Sequence, residues 1–176
     1  FERTVMRLEK LTEMDRLLRL NNMLALLVRA ERIPPEARRH LLTLYDFGTT
    51  DEFKFIIINR VGQSIEDLLY HFGVPFNART VHHIAAESLR AIREVHAVGF
   101  LLRNVRPADF HIGLSPFGEK NLYIGSYNRV FNQTSISNGK PKKPREHVCY
   151  PYAPLYASRA RLREEEMSVR DDYESW

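Results

Sequence analysis

Apolar residues recur at helical spacing in two long stretches of the chain. The first stretch runs from Thr12 to the pair Pro34–Pro35 and predicts a long helix with Thr12 as its N-cap. The second carries apolar residues on one face from Val81 to Val95, follows an Asn77 N-cap and ends at Gly99. The pattern therefore predicts two amphipathic helices, each with one buried face.

Short stretches rich in aromatic and branched residues predict strands. Leu42 to Phe47 and Phe53 to Val61 flank the turn sequence Gly48 to Asp51, a pattern typical of a β-hairpin. Further along, Phe110 to Ile112 and Leu122 to Ile124 are short apolar pieces that could pair as a second, smaller hairpin. We therefore expect at least two antiparallel pairs of strands.

Polar residues mark the boundaries of the remaining elements. Ser64 is followed three residues later by Asp67, which is the pattern of a capping box and predicts a short helix that ends near Gly73. The segment Gln133 to Arg145 is polar and rich in Lys and Pro, and it predicts a loop. A few strands followed by helices and a long loop are typical of the α+β class.

The composition favours a single soluble domain or part of one. Of 176 residues, 44% are hydrophobic and 11% aromatic, which is enough for one core. We expect no membrane segment, because no run of eighteen apolar residues and no signal-peptide pattern are present. Cys149, the single cysteine, excludes an internal disulfide and fits a cytoplasmic or nuclear location. The net charge of +4 does not by itself favour nucleic-acid binding.

Five blocks of the chain, in order, match sequence motifs of one protein family. They are Val5–Glu9, Phe53–Leu68, His96–Gly113, Tyr156–Ser158 and Arg170–Ser175. The first resembles the strand with the nucleotide-contacting lysine in the casein kinase 1 and tau-tubulin kinase group of protein kinases. The others resemble that group's hinge and following helix, its catalytic loop, the Tyr-Ala-Ser segment after the activation loop and the start of the central helix of the large lobe.

This resemblance implies an α+β, protein-kinase-like bilobal fold that is incomplete at both ends. Residues 1–61 would form part of the small lobe and the hinge. Residues 62–176 would form the first part of the mainly helical large lobe, with equivalents of the catalytic loop, a degenerate metal motif and the activation loop. Because no initiator Met and no glycine-rich strand pair are present, we expect a partial kinase domain.

The catalytic-loop block implies that residues needed for phosphoryl transfer have been replaced. Asn104 stands where the family has its catalytic base, and a neutral amide cannot accept the proton of a substrate hydroxyl. Of its neighbours, Arg103 is a scaffold position in the family and Arg106 stands in place of a lysine. Asp109 replaces the magnesium-binding Asn and is a weak candidate for a metal ligand. The resemblance also implies that Asp172 braces the backbone of this loop.

The resemblance further implies a degenerate nucleotide and metal site. Ser126 stands where the Asp-Phe-Gly motif supplies the main magnesium ligand, so that a hydroxyl replaces a carboxylate. Arg7 stands at the nucleotide-contacting lysine, and its expected glutamate partner falls at Asn21 or Asn22. Together with the hinge, the degenerate nucleotide site comprises Arg7, Ile58 and Asn59. ATP and Mg²⁺ are therefore expected as cofactors only if the altered site is still competent.

Three functions remain open from the sequence. The first is a pseudokinase that binds protein partners through a kinase-like surface without transferring phosphate. The second is a weakly active serine/threonine kinase in which Asp109 substitutes for the lost acids. The third is a basic module that uses Lys140 to Arg145 to bind nucleic acid or an acidic partner. We expect the first, because loss of a general base alone typically costs about 10²-fold to 10⁴-fold in rate.

Overall fold

A three-stranded antiparallel sheet with one helix packed on it forms the amino-terminal part of the structure. The computed structural model describes residues 4–11, 19–114, 121–127, 131–132, 143–146, 148 and 155–176. Strands β1 (Thr4–Lys10), β2 (Leu44–Thr49) and β3 (Phe53–Asn59) pair in the order β1-β3-β2. Helix α1 (Arg19–Ala30) lies against this sheet, on the face of β3 that carries buried isoleucines.

The rest of the described chain is mainly helical, with two small antiparallel strand pairs, β4 with β7 and β5 with β6. The elements are α2 (Ile65–Phe72), α3 (Ala78–Ala97), β4 (Phe100–Leu101), β5 (Phe110–Ile112), β6 (Leu122–Ile124), β7 (Phe131–Asn132), α4 (Arg159–Leu162) and α5 (Val169–Ser175). The structure is thus a mixed α/β architecture whose sheets are antiparallel. One hydrophobic core joins α1, β3, α3 and β6. In the described ranges, every helix is too short or too polar to cross a lipid bilayer.

Several local predictions from the sequence are confirmed. The capping box forms, because the Ser64 hydroxyl accepts a hydrogen bond from the Asp67 backbone N–H and the Asp67 carboxylate accepts one from Ser64. Gly73 ends this helix in the left-handed conformation, with φ of 61°. Asn77 caps α3 by accepting a hydrogen bond from the Thr80 N–H at 2.9 Å. Both predicted hairpins are present as well.

Strand β2 begins at Leu44, two residues later than the pattern predicts. Leu42 is fully buried, but its N–H donates to the Tyr127 hydroxyl at 3.2 Å instead of to a neighbouring strand. The next N–H, of Thr43, donates to the Asn59 side chain at 2.8 Å. Side-chain acceptors therefore satisfy the backbone here, and the β2 ladder begins only at Leu44.

The ends of the two long helices differ in part from the predictions. Helix α1 ends at Ala30 and closes in a turn through Ile33, because the residue before a proline is disfavoured in the α conformation. Val81 lies in the first turn of α3 and is 49% exposed, so the buried face of that helix lies towards its carboxyl end. The predicted N-cap Thr12 and most of the loop from Gln133 to Arg145 lie outside the described residues.

A buried histidine between two glutamates joins the sheet region to α3. The His40 ring nitrogens contact the Glu94 carboxylate at 2.7 Å and the Glu87 carboxylate at 2.8 Å. The backbone N–H of His40 also donates to Glu94 at 2.9 Å, and its carbonyl accepts from Ile124 of β6. Arg90 forms an ion pair with Glu87. These contacts fasten the loop before β2 to α3 and to β6 at once.

The environment of His40 favours its protonated form. Burial of the ring opposes protonation, but the hydrogen bonds and charges of Glu94 and Glu87 outweigh it and raise the pKa of His40 above 6.5. Burial would raise the pKa of Glu87, but His40 and Arg90 lower it below 4.5. A raised histidine pKa stabilises the fold below the unfolded value, and this contribution is lost as the pH rises through the folded value.

We predict that His40→Gln lowers the free energy of unfolding most between pH 4.5 and pH 6.5, where His40 is charged and Glu87 is ionised. The difference from the unaltered protein should shrink as the pH rises through the raised pKa. Urea unfolding at a series of pH values measures both quantities. The matched control is His82→Gln, because the His82 ring is exposed and contacts the Ala78 carbonyl of its own helix. A pH-independent effect of His40→Gln would contradict the prediction.

Candidate active site

A buried carboxylate holds the loop that follows β4. Asp172 of α5 is 0% exposed, and it accepts hydrogen bonds from the backbone N–H groups of Leu102 at 2.8 Å and Arg103 at 2.7 Å. The His96 ring contacts the same carboxylate at 2.7 Å. Arg103 has a φ of 61°, a conformation that costs a non-glycine residue roughly 1–2 kcal/mol. Asp172 therefore holds a strained turn in place, and its predicted bracing role is confirmed.

The amide at the predicted base position is held by a buried arginine. Asn104 is 8% exposed, and its side-chain oxygen accepts a hydrogen bond from Arg161 Nη1 at 3.2 Å. The same nitrogen donates to the Arg103 carbonyl at 2.7 Å. Arg161 lies in α4, which Ser158 caps by accepting a hydrogen bond from the Arg161 N–H. A guanidinium thus faces the side chain that a phosphotransfer site would need as a proton acceptor.

The sequence analysis did not identify Arg161 as part of this site. It lies three residues beyond the Tyr156–Ser158 motif, in a segment with several other arginines. Its distance from Asn104 is 57 positions along the chain, so no local pattern could pair the two residues. The sequence signal that could have indicated this helix is Ser158, a residue type that is favoured at a helix N-cap.

Asp109 is also engaged by a neighbouring arginine. Its carboxylate is buried and accepts hydrogen bonds from Arg106 Nε at 3.3 Å and Nη2 at 3.1 Å. Ser126 lies close enough for its side chain to favour the ionised form of this carboxylate. Burial raises the pKa of Asp109, while Arg106 and Ser126 act in the opposite direction. The structure therefore brings together Arg106, Asp109 and Ser126, as the sequence analysis implied.

Arg7 reaches the same segment from β1. Its Nη2 donates to the Gly125 carbonyl at 2.6 Å, and its Nη1 lies 3.9 Å from the Met23 sulfur. Burial lowers the pKa of Arg7. The expectation that Asn21 or Asn22 would face Arg7 is wrong, because both are exposed and Asn21 instead accepts a hydrogen bond from Lys54.

The error in the partner of Arg7 has a geometric cause. Met23 belongs to the buried face of α1, whereas the two asparagines before it lie on the exposed side. Since each residue turns an α-helix by about 100°, a shift of one or two positions moves the side chain to another face. The position opposite Arg7 is therefore occupied by a thioether, which cannot form an ion pair.

Gly125, whose carbonyl accepts from Arg7, also leaves room for the His111 ring. A Cβ atom at this position would collide with the His111 ring, which lies directly beside it. The His111 ring in turn contacts the Gly62 carbonyl at 3.0 Å, and the Gly62 N–H donates to the Ile112 carbonyl at 2.8 Å. His111 therefore fills the space between the segment after β3 and the segment after β6. The sequence analysis did not identify this residue.

The hinge residues have structural roles in this arrangement. Ile58 is 1% exposed and belongs to the core. The Asn59 side chain accepts a hydrogen bond from the Thr43 N–H at 2.8 Å, which secures the start of β2. A pocket of about 400 Å³ lies just beyond them, and its lining includes Val61 and Ile112. Its lining also includes the polar residues Arg60 and Gln63.

The residues present do not fit a bound magnesium ion. Mg²⁺ prefers several oxygen ligands in octahedral geometry, whereas this site offers one carboxylate, of Asp109, and one hydroxyl, of Ser126. The carboxylate of Asp109 is further occupied by Arg106. In the part of the chain that the structure describes, no group of three or more His, Cys, Asp or Glu side chains could hold a metal ion.

The basic segment from Lys140 to Arg145 is described only from residue 143. There Arg145 forms a two-point ion pair with Glu166, at 2.6 and 2.8 Å. Arg145 also lowers the pKa of Glu166. Because Arg145 is paired with Glu166, its charge is balanced within the protein, which argues against a basic binding patch that includes it. Cys149 lies outside the described residues.

Comparison with known proteins finds sequence similarity to protein kinases. No family model matches it. It is 32% identical over 146 residues to "Putative serine/threonine-protein kinase ZK507.1" of Caenorhabditis elegans, over 80% of this chain and 42% of that protein. It is 31% identical over 146 residues to "Putative serine/threonine-protein kinase ZK507.3" of that organism, over 80% of this chain and 33% of that protein. "Casein kinase I homolog 3" of Schizosaccharomyces pombe is 27% identical over 144 residues, covering 76% of this chain and 30% of that protein.

These relatives and the mixed α/β architecture together support a kinase-like domain. The chain spans less than half the length of each of the three, between 30% and 42%. The geometry agrees with what the resemblance implies, since the buried Asp172 braces the loop after β4.

We predict that Asp172→Ala lowers the free energy of unfolding by about 3 kcal/mol or more, because two buried N–H groups lose their acceptor. The neighbouring variant Asp171→Ala removes the α5 capping box and should cost about 1 kcal/mol. Urea denaturation of both variants measures the difference. Equal losses would show that Asp172 does not hold the loop.

Proposed function

We propose that this chain is a casein kinase 1-like protein kinase domain that has lost phosphoryl transfer and acts as a pseudokinase scaffold for a protein partner. The names of its relatives support the kinase class. The altered residues of the candidate site support the loss of activity. In this proposal residues 1–61 are part of a small lobe and hinge, and residues 62–176 are part of a large lobe.

The observation that carries the proposal is the contact between Asn104 and Arg161. An amide has no useful proton affinity, and a guanidinium at 3.2 Å further disfavours any protonated neighbour. Base catalysis of this kind typically contributes about 10²-fold to 10⁴-fold to the rate. Phosphoryl transfer depends on positioning and charge stabilisation, so the loss of the base adds to the missing metal ligands.

The pairing of Asp109 with Arg106 supports the same conclusion. A carboxylate that could hold a metal ion is already neutralised by a protein cation. Ser126 supplies a hydroxyl where a second carboxylate would be needed. Arg7, in place of the point charge of a lysine, is bound to a backbone carbonyl. The charged side chains of Arg7, Arg106 and Asp109 therefore each contact another group of the protein.

A weakly active serine/threonine kinase is the second candidate. The relatives carry kinase names, and Asp109 keeps one carboxylate beside the catalytic loop. In this alternative ATP and Mg²⁺ would bind, and Asp109 would be essential. A basic module is less favoured, because Arg145 already pairs with Glu166. Protein binding and a cytoplasmic or nuclear location are part of the first proposal.

We predict that the purified protein transfers no phosphate from ATP to casein or to itself above the background seen without enzyme, with Mg²⁺ or Mn²⁺. Transfer of radiolabelled phosphate measures this directly. The matched variant is Asp109→Asn, which keeps the shape of the side chain. Transfer that exceeds the background and disappears in Asp109→Asn would establish the weak kinase instead.

We also predict that Asn104→Asp does not restore transfer, because the new carboxylate would pair with the buried guanidinium of Arg161. The same change should raise the free energy of unfolding by about 1 kcal/mol, since a charge-assisted hydrogen bond replaces a neutral acceptor. Thermal unfolding and the phosphate-transfer assay together test the two effects. Restored transfer would show that Arg161 does not block the position.

A further inference from the structure

Strand β1 forms an open edge of the three-stranded sheet. The strand order is β1-β3-β2, and in the part of the chain that the structure describes β1 pairs with β3 alone. Leu11, directly after the strand, donates its N–H to the Glu52 carbonyl on the β3 side at 2.7 Å. The backbone groups of successive residues face alternate sides of a strand. Met6, Leu8 and Lys10 therefore direct their N–H and C=O groups to the open edge.

This edge lacks several features by which proteins protect an edge strand. A very short strand, a proline or a bulge commonly prevents pairing with another chain. Strand β1 has seven residues without proline and keeps one register against β3 throughout. The other edge of the sheet differs, because the register of β2 shifts between Leu44 and Asp46. Of the two edges, β1 is therefore the one suited to take a further strand.

The outer face of the sheet is apolar up to this edge. Met6 and Leu8 lie on the face opposite to α1 and are 52% and 61% exposed. Their cross-strand neighbours Ile57 and Phe55 are half-buried on the same face. Exposed apolar side chains that form a continuous surface commonly mark an interaction site. A strand added to β1 would extend this apolar surface and cover part of it.

The charged side chains in the middle of β1 lie on the opposite face. Arg7 lies beside Met23 of α1, and the Glu9 carboxylate accepts a hydrogen bond from the Leu20 N–H at 3.0 Å. Directly opposed residues of an antiparallel pair lie on one face, where opposite charges attract and like charges repel. Because Arg7 and Glu9 are two positions apart on the same face, β1 can oppose unlike charges when it pairs with its own sequence.

Charge selects one register for such self-pairing. A two-fold axis through the pair places one residue opposite itself. With Leu8 on the axis, Arg7 of each copy lies opposite Glu9 of the other, and Met6 lies opposite Lys10. With Arg7 or Glu9 on the axis, two like charges would oppose each other. With Met6 on the axis, no unlike charges would meet within the strand.

We propose that two copies of this chain associate through the open edge of β1, in an antiparallel pair centred on Leu8. The two three-stranded sheets then become one continuous sheet of six strands. Leu8 pairs with Leu8 and Met6 with Lys10, and each of these pairs exchanges two backbone hydrogen bonds. The association uses backbone groups of β1 and does not require the proposed loss of phosphoryl transfer.

Sedimentation velocity of the purified chain over a range of concentrations tests the association. We expect a monomer–dimer equilibrium in which the dimer fraction rises with concentration. Leu8→Lys should raise the dissociation constant about tenfold or more, because two like charges would meet on the axis. The matched control Leu162→Lys makes the same change at a leucine of 59% exposure outside the sheet and should leave the constant unchanged. Circular dichroism checks that both variants fold.

Disulfide cross-linking tests the register. In a Cys149→Ser background, Leu8→Cys should form a covalent dimer with oxidised glutathione. The two Cα atoms of a hydrogen-bonded pair lie about 5.5 Å apart, which suits a disulfide. The control Met6→Cys lies on the same face of β1, but its two copies would be about 13 Å apart along the strands. It should therefore not cross-link.

The two experiments together decide the proposal. A monomer at every concentration would overturn it, and so would a dimer that Leu8→Lys leaves intact. Cross-linking through Met6→Cys instead of Leu8→Cys would overturn the register centred on Leu8. If Leu8→Lys fails to fold, the pair of cysteine variants still separates these outcomes. A covalent dimer through Leu8→Cys alone would support both the edge and the register.

Discussion

The carboxylate of Asp172 is the interaction on which the candidate site depends. It lies in α5 yet accepts two N–H groups from the loop after β4, and it does so without exposure to solvent. Low exposure makes these bonds strong and makes their loss costly. The strained backbone at Arg103 persists because this acceptor holds it. The position of this loop in turn sets where Asn104 and Asp109 lie, independently of any chemical role of these two residues.

The residues that hold the loop differ from those that a kinase would use for chemistry. Asp172 accepts hydrogen bonds from the loop backbone and contacts the His96 ring, whereas the side chains of Asn104 and Asp109 contact neighbouring arginines. The two sets meet at Arg103, whose N–H donates to Asp172 and whose carbonyl accepts from Arg161, so substitutions in the two sets are expected to be coupled there. Under the proposed loss of phosphoryl transfer, the bracing of this loop by Asp172 would still be in place.

Local patterns predicted much of the fold, and long-range contacts account for what they missed. The capping box at Ser64, the Asn77 cap and both hairpins depend on residues close in sequence, so they could be recognised. The pairing of Arg161 with Asn104 joins distant positions and could not. The partner of Arg7 was misplaced because a resemblance over a short strand does not fix the rotation of the following helix.

Buried charges in this structure are compensated by one another, and that constrains how the region can change. His40 lies between Glu87 and Glu94, and Asp109 lies between Arg106 and Ser126. Removing one member of such a set leaves a buried charge without its partner, which costs more than the contact was worth. Substitutions of the residues in such a set are therefore expected to occur together rather than singly. The Arg106–Asp109 pair fits this view, because a cation built into the loop makes a buried carboxylate tolerable without a metal ion.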